Sequence, residues 1–215
     1  LARAFERETP GDLERRRRHA ERIVHENGTT YNVFTDAENH SRPWEVDLLP
    51  LVLPEAEWNT LSAGIAQRAH LLSLILADIY GPQTLLHEGR LPPEIVFGHL
   101  QYERAFRDLP CQAAHRIVLS GTELARSPNG DWWVMADRTE APAGAGYALE
   151  NRIVLSSIWP QLIQECHVHR LAPFFMRLQR TLGELSPRPT ENPRIVLLTE
   201  GPSHRYYFED VYLSR

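Results

Sequence analysis

One stretch, EAEWNTLSAGIAQRAHLLSLILADIYG from Glu55 to Gly81, limits the possible folds more than any other part of the sequence. Its apolar residues recur at steps of three and four, the spacing of one face of an α-helix. Gly81 and Pro82 then end the pattern. We therefore predict a long helix, apolar enough to lie at the centre of a core. The residues that set the period are Trp58, Leu61, Ile65, Ala69, Leu72, Leu76 and Ile79.

Other helices are predicted on both sides of this segment. Residues 9–26 have the composition of a charged helix that Thr9 or Asp12 can cap. Residues 147–159 have helical spacing, which Pro160 interrupts, and a further helix is expected between residues 169 and 185.

Strand signals occur in two places. Threonines and aromatic residues after Asn27-Gly28 predict a strand in TTYNVF. The turn sequence SPNG between two apolar runs predicts a β-hairpin with Asn129-Gly130 at its tip. Its second strand, WWVMA, is expected to be buried and to end at Asp137.

Charge argues against a protein that coats nucleic acid. The formal net charge is -5, and acidic residues surround the basic run Arg15–Arg18. We interpret this run as a solvated helix face, with a phosphate or nucleic-acid patch as the alternative.

Composition also predicts a cytoplasmic location. The two cysteines, Cys111 and Cys166, cannot form a disulfide framework or a zinc site, so we expect free thiols in a reducing compartment. No stretch approaches 18 consecutive apolar residues, and residues 1–10 lack a secretory pattern, so no membrane segment is expected.

The chain contains no lysine, because all 23 basic residues are arginines. This excludes the lysine-containing P-loop pattern. Any mechanism that requires a lysine on a nucleotide phosphate cannot be completed by this chain alone.

The sequence changes character after the linker SPRPTENP, residues 186–193. An aliphatic strand in RIVLL, a Gly-Pro turn and an amphipathic helix predict the opening of a βαβ unit. A lone strand and helix cannot cover both faces of a parallel sheet, so we expect the chain to be a fragment of a longer protein.

Polar residues on both sides of the loop PAGAG form a candidate binding site. Asp137 ends a predicted strand, and Glu150 and Asn151 follow the loop. Their oxygens are hard ligands that Mg²⁺ accepts together with waters and phosphate oxygens. Because adjacent helical side chains diverge by about 100°, we expect at most one of Glu150 and Asn151 to reach a metal. The alternative is that Asp137 caps a turn while Glu150 and Arg152 make ordinary surface ion pairs.

Arginines and glycines complete this candidate site. Arg138 and Arg152 stand beside the acids and could clamp phosphate oxygens. Gly144 and Gly146 begin a G-x-G-x-x-G pattern, but Leu149 occupies the third glycine position. The loop therefore either holds a charged ligand or serves only as a flexible crossover.

Several long segments, in order, resemble the circularly permuted ATP-grasp proteins of bacteria, the type 2 group. They extend from Asn27 to the end of the chain and are NGTTYNVF, RPWEVDLLPL, EWNTLSAGIAQRAHLLSLILADIYGPQTLL, ELARSPNGDWWVMADRTEAPAGAGYALENRIVLS and PRIVLLTEGP.

The resemblance implies an α+β fold in which two lobes hold ATP and Mg²⁺. Residues 1–190 would form the lobe with the magnesium ligands and a helical N-terminal part. Residues 191–215 would be the first strand and helix of a Rossmann-like unit. The lobe with the ATP-binding lysine would come later, which accounts for the absent lysines.

The resemblance also implies residue roles. The metal ligands would be Asp137, Glu150 and Asn151, and the catalytic cations would be Arg138 and Arg152. The residues that bind the cofactor or line the acceptor pocket would be Gly144, Gly146, Asn27, Tyr31 and Asn32, although the last three could equally belong only to a strand.

Two functions follow as hypotheses. The first is an ATP-dependent carboxylate-amine ligase of the peptide-forming kind, acting through an acyl-phosphate on a small molecule or peptide. The second is a non-catalytic scaffold or partner-binding module that works with proteins of the same gene cluster. The 215-residue chain alone is predicted to be inactive.

Overall fold

A computed structural model describes residues 5–6, 8–35, 38–109, 116–188 and 190–214, with the side chains of residues 32–40 outside the description. Helices and two small antiparallel sheets make up a mixed α+β structure, as the resemblance implies. In chain order the elements are α1 Pro10–Glu26, β1 Thr30–Thr35, β2 Glu38–Pro43, α2 Glu55–Ile79, α3 Thr84–His87, α4 Pro93–Phe97, β3 Gly121–Arg126, β4 Trp132–Arg138, α5 Ala145–Ile158, α6 Pro160–Glu165, α7 Ala172–Glu184 and α8 Tyr207–Leu213.

The chain divides into two compact units. Unit 1 comprises Leu1–Val52, Ala143–Arg177 and Arg194–Arg215, and unit 2 comprises Leu53–Pro142 and Leu178–Pro193. The domain boundary at residue 190, which the resemblance implies for a longer protein, stays a prediction.

The start of α1 is determined by a local motif. The Thr9 hydroxyl accepts a hydrogen bond from the Asp12 amide at 3.2 Å, and the Asp12 carboxylate accepts one from the Thr9 amide at 3.0 Å. This reciprocal capping box satisfies two backbone groups that the first helical turn leaves free. The prediction that Thr9 or Asp12 caps the helix is confirmed.

Three of the four arginines in the run on α1, Arg15, Arg17 and Arg18, form a solvated face, whereas Arg16 turns toward the core of unit 1. Arg16 pairs with Glu8 at 2.9 Å, and Arg17 and Arg18 pair with Glu14 at 2.7 and 2.9 Å. The guanidinium of Arg17, and then that of Arg18, lower the pKa of Glu14 to about 2. These acids take up the donors that a nucleic-acid patch would need.

Unit 1 has a continuous hydrophobic core between α1, α5 and α6. The Trp159 indole N–H donates to the Leu48 carbonyl at 3.0 Å, and the Arg16 guanidinium lies 3.9 Å from the centre of the Trp159 ring. The buried residues of this core are Ala20, Val24, Val154, Ile158, Trp159 and Leu162.

In unit 2, α2 forms as predicted and ends before Gly81, but the expectation of a central, buried helix is wrong. Of the seven residues that set the apolar period, Trp58 is about half exposed and the other six are only partly buried, whereas Ser73 is the residue of α2 that is buried. The helix meets the β3–β4 hairpin through polar contacts from Arg68 to Asp137 and from Trp132 and Arg126 to Glu57.

The predicted hairpin is also present. β3 and β4 pair antiparallel, and Gly130 in the connecting turn has φ +94°, a conformation that glycine adopts readily. The expected burial of WWVMA is wrong, since Trp133 and Met135 are 63% and 66% exposed. A two-stranded sheet has few neighbours to cover its faces, so these two apolar side chains stay exposed.

The C-terminal segment differs from the prediction in part. The amphipathic helix forms as α8, but residues 194–200 are not paired into a strand, and Val196 and Leu198 are 78% and 95% exposed. A strand requires a hydrogen-bonded neighbour, and the described residues offer none to this segment. The Rossmann-like unit is therefore not confirmed.

Cys166 is a free thiol, as predicted, but the sequence context favours a buried thiol and Cys166 is exposed. Cys111 lies outside the described residues. Among the described helices, none combines the length and the apolar character needed to cross a membrane.

Candidate functional site

Asp137 lies near the end of β4, where two side chains of unit 2 hold its carboxylate. The Thr122 hydroxyl of β3 donates to Oδ1 at 3.1 Å. The Arg68 guanidinium of α2 forms a close ion pair with Oδ2, and its Nε lies 3.4 Å from Oδ1. The Asp137 side chain is 15% exposed and that of Arg68 is 46% exposed.

A β-bulge aims Asp137 at α2. Trp132 and Asp137 are five positions apart, so in a regular strand their side chains would point to opposite faces. The register between β3 and β4 shifts at Met135, which has no partner residue on β3. As a result Trp132 donates to Glu57 of α2, and Asp137 accepts from Arg68 of the same helix. Bulges of this kind are common beside active sites, where they redirect a side chain.

The electrostatics of this pair favour charge on both partners. The hydrogen bond from Arg68, and then that from Thr122, lower the pKa of the Asp137 carboxyl. The hydrogen bond to Asp137 raises the pKa of the Arg68 guanidinium. The Asp137 carboxylate is therefore ionised over the physiological pH range, and its oxygens can serve as metal ligands.

Arg138, the residue after Asp137, points elsewhere on the hairpin. Its Nε donates to the Glu123 carboxylate at 2.8 Å, and its side chain is 63% exposed. This cation is thus accessible and held by one surface pair.

In unit 1, Glu150 and Asn151 of α5 face different partners. Glu150 is 1% exposed and accepts a hydrogen bond from the Asn27 side-chain amide at 2.7 Å. The Asn151 side-chain oxygen accepts one from the Trp44 indole at 2.7 Å. Their side chains diverge around the helix, as the sequence spacing predicts for adjacent helical residues.

An aromatic cluster surrounds this part of α5. The Tyr147 hydroxyl donates to the Thr30 carbonyl at 2.8 Å, and the Tyr147 ring lies 4.3 Å from that of Trp44. Tyr31 contacts Trp44 at a ring distance of 6.3 Å and Tyr206 at 5.9 Å. Burial, and then the neighbouring Glu209 carboxylate, raise the pKa of the Tyr147 hydroxyl, so it remains a hydrogen-bond donor.

The glycine loop meets a carboxylate of α8. The Gly144 amide donates to both oxygens of Glu209, at 2.9 and 2.7 Å, and the Gly146 amide donates at 2.9 Å. Glu209 is 2% exposed, and the contact puts a negative charge at the N-terminus of α5, where the helix dipole stabilises it. A Cβ on Gly146 would lie 3.1 Å from the Glu209 side chain, so a larger residue there would push Glu209 away by a few tenths of an ångström.

Arg152 projects from the following turn of α5. Its Nη1 donates to the His169 carbonyl at 2.7 Å, and burial lowers the pKa of its guanidinium. Because the His169 carbonyl is neutral, this hydrogen bond does not neutralise the charge of Arg152.

The structure thus brings together most of the unit 1 candidates. Asn27 and Glu150 are hydrogen bonded. Trp44 donates a hydrogen bond to Asn151 and its ring contacts that of Tyr31. Asn32 lies in β1, and its side chain is outside the description. Asp137 and Arg138 belong to unit 2.

The donor chemistry of these residues fits Mg²⁺ in part. Over the described chain, no group of three or more His, Cys, Asp or Glu residues could hold a metal ion. Mg²⁺, however, commonly takes one or two carboxylates and completes its shell with water and phosphate. Asp137, which already has a cation on its oxygens, is such a carboxylate.

Four partners were not foreseen from the sequence. They are Arg68, Thr122, Trp44 and Glu209, which contact the candidate residues from positions far away along the chain. A lone arginine on an exposed helix face or a glutamate near a helix start gives no local signal of its contact. Trp44 and Arg68 lie within segments that carry the family resemblance, but neither segment indicates the contact that the side chain makes.

Residues 50–215 match a family model described as circularly permuted ATP-grasp type 2. An uncharacterised protein of Mycobacterium tuberculosis is 35% identical over 222 residues, which cover 100% of this chain and 25% of that protein. An uncharacterised protein of Synechocystis is 33% identical over 188 residues, which cover 87% of this chain and 39% of that protein. The chain therefore spans about a quarter to two fifths of the length of these relatives.

Proposed function

The chain belongs to the circularly permuted ATP-grasp type 2 family, and on that premise we propose that it is part of an ATP-dependent carboxylate-amine ligase. The substrates would be a carboxylic acid and an amine, on small molecules or peptides. The cofactors would be ATP and Mg²⁺, and the protein would act in the cytoplasm.

The proposed reaction has two group-transfer steps. A carboxylate oxygen attacks the γ-phosphorus of ATP, ADP leaves, and an acyl-phosphate forms. The amine nitrogen then attacks the acyl carbon, phosphate leaves, and the nitrogen loses a proton as the amide forms. When bound, Mg²⁺ would supply positive charge to the phosphate oxygens.

The single observation that carries this proposal is the setting of Asp137. An ionised carboxylate at a strand end, aimed by a bulge and held by Thr122, suits one coordination position of Mg²⁺. At most one of Glu150 and Asn151 would be a further oxygen donor, because their side chains diverge around α5.

The remaining residues are assigned by charge and accessibility. Arg138 and Arg152 would bind phosphate oxygens, since neither is held by a buried carboxylate in its described contacts. Asn27, Tyr31 and Asn32 would line the cofactor or acceptor pocket, and the amides of Gly144 and Gly146 would become available to an anion if Glu209 moved. A later part of the protein would supply the Rossmann-like unit and the ATP-binding lysine.

Calorimetric titration with MgATP tests the proposal. We expect the full-length protein to show binding that depends on Mg²⁺, and Asp137→Asn to weaken it by at least about tenfold, since a charged ligand to the metal is lost. Asp131→Asn is the matched control, because Asp131 lies in the turn of the same hairpin and contacts Asn129. Equal binding by the two variants would contradict the role of Asp137.

The scaffold hypothesis has one observation in its favour. The Asn151 oxygen, the two glycine amides and the Asp137 carboxylate are each paired with another protein group. If no nucleotide binds to the wild-type chain or to a full-length relative, these contacts are structural, and a partner-binding module becomes the better description.

A further inference from the structure

The contact between Arg68 and Asp137 concerns the same carboxylate that the proposed function assigns to the metal. Arg68 covers Oδ2 and approaches Oδ1 from α2, while Thr122 reaches Oδ1 from β3. A guanidinium and a divalent cation cannot both occupy the Oδ2 side of this carboxylate, because their charges repel at so short a distance.

We propose that Arg68 is a displaceable counter-ion of the site, competing with the divalent cation for the Asp137 carboxylate and leaving it when the cation binds. This inference rests on the metal role of Asp137 in the proposed function. It assigns Arg68 as a positioning residue, because Arg68 acts through Asp137.

The two partners of Asp137 differ in their freedom to leave. Thr122 lies in β3, directly opposite Asp137 in the strand register, so the ladder holds its hydroxyl in place. Arg68 reaches Asp137 with a long side chain that is 46% exposed, so it can rotate into solvent without moving α2. A metal ion can therefore replace the guanidinium while the bond from Thr122 keeps the carboxylate oriented.

A second ion pair between the same elements serves as a comparison. Arg126 of β3 pairs with Glu57 of α2 at 3.2 Å, and the Arg126 side chain is 47% exposed, almost the same as Arg68. Glu57 also accepts from the Trp132 indole, so this pair belongs to the packing of the hairpin on α2. A purely structural role for Arg68 would make the two arginines equivalent.

Binding of Mn²⁺ alone to the 215-residue chain, followed by electron paramagnetic resonance of the free ion, tests the proposal. We expect Arg68→Gln to bind Mn²⁺ about two- to fivefold more tightly, the range of a partly exposed ion pair. Arg68→Lys, which keeps the charge, should stay near wild type, and Arg126→Gln should leave the affinity unchanged. Asp137→Asn should weaken binding.

The outcomes separate this inference from the proposed function. Unchanged or weaker Mn²⁺ binding by Arg68→Gln, with binding still weakened by Asp137→Asn, would overturn the counter-ion role and leave the metal role of Asp137 intact. Binding that is indifferent to Asp137→Asn would overturn the metal role and, with it, the counter-ion role.

A measurement on the wild-type chain makes the test independent of whether the variants fold. Adding Mg²⁺ should speed the exchange of the Arg68 Nε–H with water, seen by nuclear magnetic resonance, because the guanidinium leaves its acceptor. The Arg126 Nε–H should be unaffected. An unchanged Arg68 signal at saturating Mg²⁺ would count against displacement.

Discussion

At the scale of single residues, carboxylates organise several separate parts of the chain. Asp137 accepts from Arg68 and Thr122, and Asp78 accepts from the backbone amides of Thr84 and Leu85 at 2.9 Å each. The second contact turns the chain from the end of α2 into α3. In both cases the charged form makes the hydrogen bonds, so the local structure depends on ionisation.

We expect the stability contribution of Asp78 to depend on pH. Its hydrogen bonds from the Leu85 and Thr84 amides lower its pKa in the folded chain below the ordinary value of 3.8. The contribution is therefore fully present above the unfolded pKa and disappears as the pH falls through the folded pKa. The free energy of unfolding of wild type minus that of Asp78→Asn, measured by urea titration, should be constant above about pH 5 and shrink below about pH 4.

A difference that persists unchanged at the acid end would contradict this account. Asp131→Asn provides the control for the loss of one exposed charge.

At the scale of elements, the N-terminus of α5 is closed by a residue of α8. The chain enters α5 through Gly144, whose φ of +128° suits glycine, and Gly146 leaves room for Glu209. The backbone amides of the first helical turn have no carbonyl acceptor within the helix. The Glu209 carboxylate accepts hydrogen bonds from two of these amides, those of Gly144 and Gly146. Two elements more than 60 positions apart are joined by this one side chain.

Replacing Glu209 by alanine should lower the free energy of unfolding by about 1–3 kcal/mol, because the partly buried amide of Gly144 and the buried amide of Gly146 lose their acceptor. Gly146→Ala should also destabilise the chain, since the new methyl group would meet Glu209. Chemical denaturation measures both effects. Glu200→Ala, which removes an exposed glutamate from the preceding segment, should have little effect. An equal loss of unfolding free energy in that variant would show that the Glu209 contact does not stabilise the fold.

At the scale of the whole molecule, the order of segments in the chain does not match their grouping in space. Unit 1 combines three separate stretches, so α1, α5 and α8 meet although unit 2 interrupts them in the sequence. The candidate residues are divided accordingly, with Asp137 and Arg138 in one unit and Glu150, Asn151 and Arg152 in the other.

We expect the purified 215-residue chain to hydrolyse no ATP beyond background, because it contains no lysine to hold the phosphates as the proposed function requires. Phosphate release with and without Mg²⁺ measures this. The Asp137→Asn variant, purified in the same way, reports any contaminating activity. Robust release by the wild-type chain that Asp137→Asn abolishes would mean that the missing lysine is not needed.

Much of the local structure could be predicted because its causes are neighbours in sequence. The capping box of Thr9 and Asp12, the turn at Gly130 and the break at Pro160 each depend on a few consecutive residues. The same holds for the divergence of Glu150 and Asn151, which follows from helix geometry alone.

Burial and partnership could not be predicted in this way. Trp133 and Val134 have strong strand propensity, but they are 63% and 39% exposed, because burial depends on partners from elsewhere in the chain. The apolar spacing of α2 likewise predicts a helix, but it does not predict how much of the apolar surface of the helix is buried.

By itself, the sequence determined the positions of the helices and the hairpin, the absence of lysine and, through its long ordered segments, the family. Only the tertiary structure decided that Arg68 holds Asp137 and that Glu209 holds Gly144 and Gly146. The physical reason is range. Capping and turn preferences act over a few residues, whereas a charge finds its counter-ion wherever folding places the two side chains.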